Sequence, residues 1–134
     1  MRDRQQHHRR YRRHTRGEHA GHVGVGRDDG REKGEYSPLF YRRDRFDLIA
    51  SGSFWLSETP DKPSKGWDAA YPRIATWARL YDRRSAQQLL AINTHFDHQG
   101  AIAQLESARQ IMRWLAKERK AGERTLLFGD FNGH

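Results

Sequence analysis

The segment Leu126-Leu127-Phe128-Gly129-Asp130-Phe131-Asn132 places an apolar run directly before two polar side chains. If the run is a strand, its two-residue period puts Asp130 and Asn132 on one side where the chain leaves the sheet. A carboxylate and an amide converging there suit a Mg²⁺-assisted phosphoryl site, because Mg²⁺ takes oxygen ligands and keeps several waters. The same residues suit a polar turn, and spacing alone leaves both readings open. A second cluster, Asn93-Thr94-His95-Phe96-Asp97-His98-Gln99-Gly100, lies between an apolar run and an amphipathic one. Asn93 and His95 share a strand face, and a histidine at a strand end can donate a proton or hydrogen-bond a phosphate. Asp97 is placed to cap the helix that follows, which leaves His98 exposed.

These groups need elements to hold them. Period-two patterning predicts strands over Tyr36 to Arg42, Asp47 to Leu56, Arg73 to Tyr81, Leu89 to Phe96 and Thr125 to Phe131. In the fourth of these, Leu90, Ile92 and Phe96 form one face, and Leu89, Ala91, Asn93 and His95 the other. Ile102, Leu105, Ala108, Met112 and Leu115 recur at helical spacing, with Gly122 as a stop. Pro60, Pro63, Ser64 and Gly66 mark Ser57 to Gly66 as an irregular loop. The glycines from Gly24 to Gly30 do not fit a dinucleotide fingerprint, since the third comes one place late and no helix pattern follows. Asp29-Gly30 reads as a tight turn. Strands in series with one helix between the last two predict a layered α/β sandwich.

The chain has 134 residues, room for one ordinary domain. Its longest apolar run, Leu89 to Ile92, is far short of a membrane span, and no signal-peptide core follows the start. With no cysteine, disulfides and thiolate metal sites are excluded. The net charge of +8 is concentrated at the start, where residues 1–22 hold seven arginines against two acids. That stretch also holds five of the eight histidines and almost no large apolar side chain, so it is expected to be a disordered basic leader. It suits a solvated tail, a misassigned reading-frame start, a nucleic-acid arm or a histidine-rich metal tract.

Five segments in order carry a resemblance: Gly34 to Arg42, Phe54 to Pro60, Pro72 to Trp77, Asn93-Thr94-His95 and Gly129-Asp130-Phe131-Asn132. Together they resemble the endonuclease/exonuclease/phosphatase superfamily, over residues 23–134. The resemblance implies the central portion of a DNase-like two-sheet α/β sandwich, in a domain of roughly 250 residues. It implies a metal-dependent phosphoric ester hydrolase using Mg²⁺ or Mn²⁺ on a phosphodiester or phosphomonoester, nucleic acid among the options. Asp130 and Asn132 match residues that contact attacking water, phosphate or metal. His95 matches a phosphate-contacting histidine, Glu35 its acidic partner, and Arg73 an arginine near the phosphate-binding face. Such a His–Glu pair would favour a charged imidazole beside an anionic substrate.

Two departures stand out. The family's Gln-Glu strand end, whose glutamate is the principal Mg²⁺ ligand, has no counterpart here, and neither does its terminal Asp-His pair. The chain is therefore expected to be truncated at both ends, to be marginally stable or aggregation-prone with open apolar faces, and to have little activity alone. Two alternatives remain. The stretch from Asn93 to His98 is similar to the His-x-His-x-Asp-His zinc motif of metallo-β-lactamases, with Asn93 in place of the first histidine. The basic leader would instead suit a non-catalytic nucleic-acid-binding module. Residue types alone do not choose among DNA, RNA, a phospholipid head group or a small phosphate ester, nor do they fix compartment or oligomeric state.

Overall fold

The computed structural model describes residues 20–131. The disorder expected of most of the leader, and the role expected of Asn132, lie outside the described residues. In chain order the elements are β1 (Ala20–Val23), β2 (Leu39–Arg42), β3 (Phe46–Trp55), β4 (Ile74–Asp82), β5 (Gln87–His95), α1 (Ala101–Glu118) and β6 (Arg124–Asp130). β1 and β2 pair in a small antiparallel sheet, while the larger sheet runs β3-β4-β5-β6. Its first two pairings are antiparallel and the last is parallel. A parallel neighbour needs a crossover, and α1 supplies it.

The alternation along β5 serves two cores at once. Leu90 and Ile92 face α1 and pack with Phe54, Ala75, Ile111 and Leu115. Leu89 and Ala91 face the small sheet with Leu39, Ala78 and Leu80. This is the two-sheet α/β sandwich expected from the sequence, with a helix on the outer face. A buried ion pair ties its far side together: Arg79 Nε donates to Glu123 at 2.7 Å, and Gln88 and the Lys120 amide donate to the same carboxylate.

Several boundaries differ from expectation. Residues 20–22, assigned to the leader, belong to β1, because Gly21 leaves room for the ring of Tyr41 on the paired strand. The strand expected from Tyr36 begins at Leu39, since Pro38 cannot donate to a ladder; Tyr36 makes only an isolated bridge to Gly26. On α1 the face against the sheet is Ala103, Ser107, Ile111 and Leu115. Ile102, Leu105 and Met112 are more than half exposed instead. The apolar stripe is wider than one contact face, and its outer part borders a groove of about 480 Å³ with Phe96, Leu127 and Phe131.

A second apolar groove, about 350 Å³, lies on the other side of β6, beside Leu126, Phe128 and Phe40. Among the described residues β6 pairs only with β5, so it is an edge strand that is apolar on both faces. Such edges template association. The double variant Leu126→Lys/Phe128→Lys is expected to show a lower light-scattering mass than the parent at equal concentration. An unchanged mass would place self-association on another surface.

Candidate active site

The parallel β5–β6 pairing carries two polar side chains to one edge of the sheet. His95 lies in register with Asp130, and the Phe96 amide donates to the Asp130 carbonyl at 2.8 Å. Carboxyl ends of adjacent parallel strands are where open α/β sheets bind ligands. Antiparallel β4 brings its starting end, next to Arg73, to the same edge, since Ala75 pairs with Thr94. Gly129 makes the close approach possible. Its φ of 141° suits glycine, and a Cβ there would run into the Thr94 carbonyl oxygen.

Glu35 arrives from the connection between β1 and β2. That loop is closed on itself by the Gly26–Tyr36 bridge and by the Arg27 amide donating to the Glu35 carbonyl at 3.1 Å. Asp29 fastens its tip by accepting the amides of Arg31 and Lys33, as the turn expected there requires. The result is a three-member line. His95 Nδ1 lies 3.0 Å from Glu35 Oε1, and His95 Nε2 lies 3.5 Å from Asp130 Oδ2. A carboxylate can only accept, so the Nδ1 proton belongs to the bond with Glu35, and Nε2 is the nitrogen turned toward Asp130. Both carboxylates are more than half exposed, so an anion or a cation can reach them from solvent. Asn93, on the same face, donates to the Pro38 carbonyl at 2.7 Å and anchors the end of the loop that carries Glu35.

Arg73 lies next to the same edge. Its side chain is only 6% exposed, with Nε 3.6 Å from Asp97 Oδ1 and Nη2 3.1 Å from His98 Nδ1. Its guanidinium also lies 5.9 Å from the centroid of the Tyr71 ring. Asp97 differs from expectation. The helix N-cap is Gly100, and the side chain that reaches the first turn is Asp68, accepting from the Ala103 amide at 2.7 Å. Asp97 instead accepts the amides of Ala70, Tyr71, Gln99 and Gly100. Burial, the largest influence, pushes its pKa up; the four amides outweigh that and hold it below the ordinary carboxylate value. Asp97 thus ties the loop before β4 to the turn after β5. No local sequence pattern marks Asp68 or Tyr71.

The metal readings can be tested on the donors present. Among the described residues no three His, Asp or Glu side chains converge as a metal cage. The zinc motif is dispersed: Asn93 turns to Pro38, His95 to two carboxylates, Asp97 to backbone amides and His98 to Arg73. Zinc, which wants about three converging protein ligands, does not fit. Mg²⁺ is less demanding, since one or two carboxylates with water and substrate oxygens suffice. An exposed Asp130 carboxylate at a strand end is such a donor.

No family model matches the chain. An uncharacterized protein, L388, of Acanthamoeba polyphaga mimivirus is 32% identical over 85 residues, covering 58% of this chain and 30% of that protein. A solved endonuclease/exonuclease/phosphatase family protein from Bacteroides thetaiotaomicron superposes with a TM-score of 0.85 at 42% identity, covering 95% of this chain and 45% of that one. A mannosyl-6-phosphatase from the same organism gives a TM-score of 0.84 at 41% identity, covering 96% and 48%. The chain therefore spans less than half the length of each of these proteins.

Proposed function

Because this chain belongs to the endonuclease/exonuclease/phosphatase superfamily, we propose that its sheet edge is the phosphate-handling part of a metal-dependent phosphoric ester hydrolase. The observation that carries the reading is His95 held between Glu35 and Asp130 where β5 and β6 end side by side. Glu35 accepts the Nδ1 proton and fixes the ring orientation, and an imidazole protonated on both nitrogens, between two carboxylates, donates its Nε2–H to a phosphoryl oxygen. Asp130, joined by Asn132, orients the attacking water in line with the leaving oxygen. Mg²⁺ or Mn²⁺ held through Asp130 and Asn132 would neutralise charge on the phosphoryl oxygens. Likeness to a mannosyl-6-phosphatase favours a phosphomonoester over a phosphodiester such as nucleic acid.

Phosphoryl transfer depends on several charged groups acting as a unit, and losing part of the set costs orders of magnitude. The family's Gln-Glu and Asp-His segments have no counterpart here. The chain on its own is therefore expected to hydrolyse p-nitrophenyl phosphate and bis(p-nitrophenyl) phosphate negligibly with Mg²⁺, while binding inorganic phosphate at His95. Robust turnover that disappears in Asp130→Ala would show that these residues suffice without those segments. Absence of any phosphate binding would overturn the site assignment.

A further inference from the structure

Beside the His95 site stands a cluster that the phosphate chemistry does not use. The Arg27 guanidinium lies over the Tyr71 ring, 5.0 Å from its centroid, and the His98 imidazole stacks on the same ring at 6.0 Å and 22°. Two independent routes place it next to the phosphate site. Arg27 is hydrogen-bonded through its amide to the carbonyl of Glu35, the residue that holds His95. His98 follows His95 by three residues, which keeps their Cα atoms within about 11 Å.

The chemistry of the cluster is specific. Arg73 has no acceptor, so its contact with His98 Nδ1 makes that nitrogen the acceptor and puts the imidazole proton on Nε2. His98 is exposed and Tyr71 is half exposed, so an N–H and a phenol are available at the surface. The buried Arg27 Nε makes no hydrogen bond among the described residues, and its nearest carboxylate, Asp28, is 3.9 Å away. The Arg27 and Arg73 guanidiniums and the His98 imidazole already lie against Tyr71, which leaves little flat aromatic surface for a base to stack on. Hydrogen-bonding rims remain.

We propose that Arg27, Tyr71 and His98 form a leaving-group subsite that takes the hydroxylated ring of a base-free sugar phosphate whose phosphate sits at His95. The proposal rests on the phosphate-site reading and deepens it. Hydroxyls can both donate to and accept from such a rim, and the stacked imidazole offers an apolar face to sugar C–H groups. Arg73 lies 5.9 Å from the Tyr71 centroid and fixes His98, and Asp97 fixes the Tyr71 loop.

The test is calorimetric titration of the full chain, in Mg²⁺ buffer, with inorganic phosphate, glucose 6-phosphate and adenosine 5′-monophosphate. Two or so net hydrogen bonds predict that the sugar phosphate binds about tenfold more tightly than phosphate, and more tightly than the nucleotide. Tyr71→Ala and His98→Ala should abolish that preference and leave inorganic phosphate affinity unchanged, while His98→Gln, which keeps an N–H donor, should restore part of it. Should Tyr71→Ala fail to fold, the exposed His98 variants decide alone. A preference that persists in His98→Ala, or a nucleotide that binds best, overturns the subsite and leaves the phosphate site standing. Failure of every phosphate ligand to bind overturns both.

Discussion

Asp97→Ala is expected to be strongly destabilising, costing about 3–5 kcal/mol. The side chain is 1% exposed, accepts amides from Ala70, Tyr71, Gln99 and Gly100, and faces the nearly buried Arg73. Alanine would leave a buried cation unpaired and strip acceptors from amides on two loops. Against a total stability of about 5–15 kcal/mol for an ordinary domain, that loss is large enough to unfold part of the population. The effect has a pH signature. The carboxyl is held below its ordinary value of 3.8, so its stabilisation is fully present above that pH and fades as pH falls through the lower folded-state value. Glu123 and Asp82 are also depressed and will erode stability over the same acidic range in both proteins. Thermal melts should therefore show a wide gap between parent and variant at pH 7 that narrows below pH 4. A gap independent of pH would mean that packing, not charge, sets the loss.

His95→Ala carries the second large expectation, on phosphate affinity. A hydrogen bond to a charged group contributes about 1.5–3 kcal/mol net, so the variant should bind inorganic phosphate about tenfold to a hundredfold more weakly. Glu35→Gln keeps the ring in place with a weaker partner and should cost less than His95→Ala. Both positions are partly exposed, so the fold should survive either change. Equal affinities for parent and His95→Ala would remove the histidine from the site.

Elements that depend on local pattern were legible in the sequence. The two-faced alternation of β5, the helix after it and the apolar β6 follow from side-chain periods, and they suffice to bring His95 beside Asp130. What the sequence hid is non-local. Asp68 caps α1 from the loop before β4, more than thirty residues upstream, and no spacing rule connects the two. Asp97 looked like a helix cap because it precedes an amphipathic run. Its carboxylate is instead claimed by the Gln99 and Gly100 amides nearby and by a distant loop. The contacts of Arg73 with Asp97 and His98 likewise join residues about 25 positions apart, which no local pattern links. The apolar stripe of α1 points one face away from the true contact, because Ser107, a polar residue, occupies part of that contact.

We propose that a divalent cation and a phosphate meet at the shared end of β5 and β6. Amide NMR of the full chain, titrated with Mn²⁺ and then with phosphate, tests it directly. Paramagnetic broadening should centre on residues 129–132 and reach His95 and Glu35, phosphate should then shift the His95 signals, and Asp130→Ala should abolish the broadening there. Broadening confined to the histidine-rich residues 1–22, with the β5–β6 end untouched, would remove the cation from that end.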